Sequence, residues 1–347
     1  MKAPLPSRGF TINPAGRFEV RRFEPDFPEG DASTVVVEDR TRSILATNDS
    51  PDVPFDRSIN PYRGCEHGCA YCFARPSHAY LGWSPGRDFE TKILAKPRAA
   101  DLLRRELAKP GYRCEPIALG TNTDPYQPLE RKMRITRSVL EVLVEHRHPF
   151  SIVTKSAGVL RDLDLIAPMA REGMAKVFLS ITTLDPELAR RLEPRASAPR
   201  RRLEALRGLG SEGVPTGVLA SPMIPGLNDH ELERILEASA AAGASSAGYL
   251  LVRLPNEMKT LFVEWLGLHY PTKAGKVLAL IREMRGGELN DPRFGERMRG
   301  RGPYADLLAR RFEVACRRYG LRGREASLDT SRFRVPEPVG RQRRLFG

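Results

Sequence analysis

Short apolar runs alternate with longer amphipathic stretches through the middle of the chain, and that alternation predicts the fold. Residues 116–120, 150–154, 175–182, 214–220 and 248–254 are short, apolar, often β-branched and bounded by turn formers, as buried strands are. Between them, residues 98–109, 136–146, 160–172, 199–209 and 228–242 carry the spacing of amphipathic helices. Asn228, with Glu231 three positions on, reads as the cap of the last of these. With a further strand inferred just before Cys65, the repeat predicts an α/β fold, a partial (β/α)6 TIM-like barrel with an N-terminal extension and a helical C-terminal extension. Six units are too few for the eight-fold closure, and such barrels carry their chemistry at the C-terminal ends of the strands.

The expected organisation is an N-terminal extension over residues 1–55, the barrel over 56–256 and a helical C-terminal region with a basic tail over 257–347. The extension holds scattered Pro, Gly and Asp with one strand-like run at 33–37, and the C-terminal region has helical patterns at 276–284 and 304–319. No internal repeat is visible. No apolar run is long enough to span a bilayer, and no compact apolar segment of a secretory signal opens the chain, so a cytoplasmic protein with no membrane partner is expected.

Charge changes the picture in one respect. The net charge is +13, much of it from arginine clusters at 200–202, 310–311 and 317–318. A basic surface attracts nucleic acid through counterion release, which makes DNA or RNA a candidate partner. The competing reading is a chain-wide arginine bias with solvated charges, because charge alone names no partner.

Cysteine usage points to metal chemistry. There are 5 cysteines, an odd count, and Cys65, Cys69 and Cys72 crowd into one CX3CX2C loop flanked by Gly64 and Gly68. A disulfide framework would spread and pair them. Three thiolates converge only if the chain curls around a central object, and the glycines supply the positive φ that a curl needs. Iron–sulfur clusters are commonly held by four thiolates, so three would leave one iron open to a ligand. The alternative is zinc, held with His67 or His78, in a non-enzymatic zinc or nucleic-acid-binding module. Zinc sites usually pair two such knuckles, and Cys114 and Cys316 are isolated from the loop. His67 and His78 are expected to bond the backbone instead.

The loop resembles the signature of the radical S-adenosylmethionine (SAM) superfamily, CX3CX(aromatic)C, with Tyr71 in the aromatic position. Residues 60–75 and 120–130 together are similar to a group related to spore photoproduct lyase, often labelled DNA repair photolyase. The superfamily resemblance spans residues 56–254.

That resemblance implies an enzyme in which a 4Fe–4S cluster on Cys65, Cys69 and Cys72 chelates SAM. Reduction by an external one-electron donor of the flavodoxin or ferredoxin type then cleaves SAM to a 5′-deoxyadenosyl radical, which abstracts hydrogen from a substrate. The resemblance also implies cofactor contacts. The backbone around Tyr71 and Phe73 would face the adenine, the polar loop 120–124 with Asn122 and Thr123 the methionine amine, and Lys155 the carboxylate. Ser180 would bond carboxylate or ribose, and Arg200 is the arginine expected at the carboxylate from the run 190–202. Residues 221–228 would pack on the adenine. Without the cysteine loop, a strand-end lysine reads as a solvated charge and a strand serine as a satisfied core hydroxyl. The substrate is expected to be nucleic acid or a nucleotide, with a small molecule or peptide as the alternative. One departure argues against photoproduct repair: residues 118–124 hold Thr121 and Asn122 but no cysteine where the photoproduct lyase keeps its hydrogen donor.

Overall fold

Six parallel strands realise the predicted alternation. The structure is a computed structural model that describes residues 9–10, 12–18, 33–321 and 327–336. Its strands are β1 (Val35–Glu38), β2 (Leu45–Thr47), β3 (Arg57–Ile59), β4 (Tyr62–Arg63), β5 (Lys92–Ala95), β6 (Ile117–Leu119), β7 (Phe150–Thr154), β8 (Ala175–Ser180), β9 (Thr216–Met223) and β10 (Ser246–Leu251). The main sheet has the order β10-β9-β8-β7-β6-β3-β2. Neighbours from β3 to β10 are parallel, and β2 alone joins antiparallel to β3. The strands are apolar because helices cover one face and the barrel interior the other: β6 is buried throughout. The covering helices are Ala99–Leu107, Ile135–Glu145, Leu163–Arg171, Pro199–Ser211 and Leu232–Ala241.

The structure departs from the sequence pattern in several places. The run at 33–37 does form a strand, but it lies in a separate sheet of order β1-β5-β4, not beside the barrel. Helix Met258–His269 opens the expected helical C-terminal region but was not among its marked patterns, because Leu261, Phe262, Val263, Trp265 and Leu266 crowd more than one face and blur the period. Asn228 caps nothing. Its buried side chain accepts from the Ile224 amide (2.6 Å) and donates to the carbonyls of Thr182 (2.7 Å) and Pro222 (3.0 Å). Glu231 likewise accepts from the Thr183 hydroxyl and the Leu184 amide. The pair ties the loops after β8 and β9 together above the sheet.

Two later segments complete the barrel. Residues 285–302 bridge its open side: the Leu251 amide donates to Met298 (3.0 Å), and Gly295 donates to Asp52 Oδ1 (2.6 Å), just ahead of β3. Arg297 is ion-paired with the same carboxylate. At the opposite end, below β6 and β7, Phe333 packs on Tyr112 and His148 with ring centroids 5.5 and 5.2 Å away. Among the described residues no helix is long and apolar enough to cross a membrane.

Candidate functional site

The cysteine loop leaves β4 at the C-terminal end of the barrel and is held from three sides. Gly64 has φ +85°, and a Cβ there would meet the Phe89 carbonyl at 2.9 Å, so only glycine lets the chain turn into Cys65. Gly68 also has positive φ, as the curl requires. On the first side, Arg75 is fully buried and donates to the carbonyls of Cys69 (2.9 Å) and Gly86 (2.7 Å) and to Glu90 (2.5 Å), which is itself fully buried. The Arg75 guanidinium also lies 4.4 Å from the Phe10 ring centroid, which brings part of the N-terminal extension onto the loop.

The second side is the loop after β6. Thr123 donates its hydroxyl to the Gly64 carbonyl (2.7 Å), and Gln127, fully buried, accepts from the Glu66 amide (2.9 Å). Asp124 accepts from the Thr154 hydroxyl (2.7 Å) and the Lys155 amide (2.7 Å), and its carboxylate faces His67 at 3.4 Å. Burial alone would raise the Asp124 carboxyl. His67 and the hydrogen bonds outweigh it and hold the group well below the usual carboxylate range. His67 therefore meets a carboxylate and not the expected backbone carbonyl, whereas His78 does bond backbone, at Lys92 (3.0 Å).

The third side is the segment after β8. Leu192 accepts the Ala70 amide (2.9 Å), and the Arg195 amide donates to His67 (3.3 Å). Glu193, buried behind Cys69, accepts from Tyr71, Arg202 and Thr182 (2.6 Å for the last). Arg202 is buried as well and donates to the carbonyls of Ser180 (2.9 Å) and Ser197 (2.7 Å). Lys155 points its ammonium toward the same place, 5.8 Å from the Tyr71 ring centroid.

A model of the radical SAM superfamily matches residues 59–238, more than half of the chain and all of this constellation but Phe10. The chain belongs to the radical SAM superfamily. A Mycobacterium tuberculosis relative, described as an uncharacterized protein, is 36% identical over 260 residues, covering 74% of this chain and 75% of that one. An uncharacterized Methanocaldococcus jannaschii protein is 31% identical over 173 residues, 50% of this chain and 62% of that one. Among solved structures, spore photoproduct lyase complexed with dinucleoside spore photoproduct shares the fold. Its TM-score is 0.58 at 16% identity, over 86% of this chain and 85% of that one.

This radical SAM protein is thus an enzyme, and its superfamily implies SAM, an iron–sulfur cluster and a reductant. The donor chemistry fits that group. The three loop cysteines are free thiols that interact electrostatically with one another. Burial, then Asp124, pushes the Cys65 thiol up to about 12, and burial, then Glu193, lifts Cys69 well above its usual value. Thiolates at these positions need a cation beside them.

The expected cofactor contacts divide into two groups. Lys155 and Tyr71 stand beside Cys69, and Phe73 follows Cys72 with 43% of its surface exposed. The hydroxyls of Thr123 and Ser180 are already engaged, with Gly64 and with the Ser221 carbonyl (3.0 Å). Asn122 is exposed, and its backbone amide bonds Asn60 (2.9 Å). Arg200 lies apart: its side chain is 90% exposed and pairs with Glu204, because it sits on the outer face of helix Pro199–Ser211. Arg202, two positions on, takes the inward face. Sequence reasoning missed Arg75, Gln127 and Arg202 as parts of the site, and marked Asp124 only as one residue of the loop 120–124. All four lie within runs it had marked, but nothing in the sequence says which partner each meets. Glu90 left no signal at all.

Proposed function

We propose that this radical SAM enzyme holds a 4Fe–4S cluster on Cys65, Cys69 and Cys72, binds SAM beside it, and acts on nucleic acid or a nucleotide. The observation that carries the cluster assignment is the glycine-turned loop itself, with three free thiols at the C-terminal mouth of a parallel barrel. When bound and reduced, the cluster and SAM together supply a 5′-deoxyadenosyl radical able to take hydrogen from an unactivated C–H bond.

The chain's own residues bind, orient and exclude water. Lys155 holds its ammonium beside Cys69 and Glu193, where it would meet the carboxylate of the methionine moiety. Asp124 orients it by accepting the Lys155 amide. Glu193, neutralised by Arg202, fixes the Tyr71 hydroxyl and so the turn between Cys69 and Cys72. Tyr71 and Cys69 belong to an apolar cluster with Phe262, Trp265 and Leu266, which keeps water from the rear of the loop. A substrate of nucleic-acid type is supported by the net charge of +13 and by the dinucleoside bound in the spore photoproduct lyase fold. The reductant is a one-electron carrier of the flavodoxin or ferredoxin type.

Anaerobic reconstitution tests the reading. About four irons per chain with a paramagnetic signal after reduction are expected, together with formation of 5′-deoxyadenosine from SAM under a chemical reductant. Cys69→Ala should abolish that product; retention of it, or stoichiometric zinc in place of iron, refutes the assignment.

A further inference from the structure

Among the described residues four aromatic side chains are exposed, Phe18, Phe73, Tyr80 and Phe294, and an arginine lies against every one. Arg17 stands 4.8 Å from the ring centroids of both Phe18 and Tyr80, Arg253 stands 5.2 Å from Phe73, and Arg297 stands 4.5 Å from Phe294. Two of these pairs form one cluster that runs from the mouth of the barrel along its open side. Phe73 directly follows Cys72, and Arg253 comes just after β10, the last barrel strand. Arg253 Nη1 reaches Met298 Sδ at 3.6 Å, next in sequence to Arg297.

The cluster carries more positive charge than its neighbours balance. Asp52 is taken by Arg297, while Arg253 Nε is buried with no hydrogen-bond partner. Burial and the nearby Arg297 both press the Arg253 guanidinium toward losing its proton, with only Asp52 opposing. An oxyanion beside the Arg253 guanidinium would offset the excess charge and relieve the repulsion. The aromatics narrow the ligand further. A guanidinium covers part of each ring, yet 43% of Phe73 and 59% of Phe294 stays exposed. An acidic peptide would satisfy the arginines and leave the rings uncovered, whereas a phosphodiester chain with unstacked bases satisfies both.

We propose that Arg253 and Arg297, with the exposed rings of Phe73 and Phe294, form a binding surface for single-stranded nucleic acid. A phosphodiester lies against the Arg253 guanidinium, and unstacked bases lie on the aromatic rings. The inference rests on the nucleic-acid reading above and specifies where and in what form the strand is held.

The test is fluorescence anisotropy of a labelled mixed-sequence DNA oligonucleotide, single-stranded, with anaerobically reconstituted full-length protein between about 50 and 200 mM salt. Arg253→Gln should weaken binding about fivefold or more and lower the salt slope by about 1. Phe294→Ser should weaken it at least about fivefold with an unchanged slope. Arg317→Gln, at an exposed position of helix Pro303–Arg318, should bind as the parent does. Parent-like binding by both R253Q and F294S overturns the inference while leaving a nucleic-acid substrate in place, as does an equal loss in R317Q. So does equal competition by a blunt duplex. Absence of salt-dependent binding by the parent protein removes the nucleic-acid reading itself. Phe294 is exposed, so F294S remains informative if R253Q melts early or loses iron.

Discussion

At the scale of single residues, the site depends on a few buried charges that hold the cysteine loop. Arg75 and Glu90 are both fully buried and meet at 2.5 Å, with Glu90 also accepting the Gly9 amide (2.9 Å). Removing one partner of such a pair strands the other in low dielectric, at a cost of about 3 to 5 kcal/mol. Glu90→Gln should therefore lower stability by that order in urea unfolding of the anaerobic protein, and reduce the iron retained after reconstitution. Gly120 is a second sensitive position. Its φ is +92°, and a Cβ would fall 2.0 Å from the Val153 carbonyl oxygen. Gly120→Ala should cost upwards of about 1 kcal/mol by thermal melting, because the loop carrying Asp124 must shift away from β7.

At the scale of elements, the segment from Asp185 to Arg202 is the support behind the cluster loop. Asp185 caps helix Pro186–Leu192 by accepting the amides of Glu187 (2.8 Å) and Leu188 (3.3 Å), and the helix end at Leu192 accepts Ala70. The cap is exposed to solvent, so Asp185→Ala should cost about 1 kcal/mol in chemical unfolding with iron content unchanged. Arg202→Met acts at the other end and should behave differently. It leaves Glu193 charged and buried beside Cys69, so a loss of about 3 to 5 kcal/mol is expected. The contrast between the two variants separates helix stability from support of the loop.

At the scale of the whole molecule, the C-terminal segment ties the base of the barrel and adds a pH dependence. His148 is fully buried, bonded to Tyr112 (2.7 Å) and to the Pro149 carbonyl (3.0 Å), and burial lowers its pKa to about 4. Arg57 and His146 also face it and act in the same direction. A histidine depressed in the folded state stabilises fully above its unfolded pKa of about 6.5. The stability is lost as pH falls toward the folded value, because the unfolded chain takes up the proton first. His78, also pushed down to about 4, adds a second slope of the same sign. Unfolding free energy should fall between about pH 6.5 and 4 by an order of 2 to 3 kcal/mol per histidine. His148→Gln should remove about half of that slope, read from urea midpoints across the range.

The sequence by itself determined the strand–helix alternation, the six parallel units and the loop of three cysteines with its two glycines. These are local signals, written in periodicity and in the spacing of residues with special backbone or ligand chemistry. Tertiary structure alone decided which charged residues serve the loop. Arg200 and Arg202 lie two positions apart on one helix, and only the docking of that helix on β8 turns one outward and buries the other. Asn228 looked like a cap because its neighbours fit a capping pattern, yet the loops after β8 and β9 offered it three buried partners that outcompete a helix end. Nothing local marks the roles of Glu90, Gln127 and Arg253, since those roles arise from partners 15 to more than 60 positions away in the chain. Pairings at that distance depend on how the barrel closes, which no short window of residues contains.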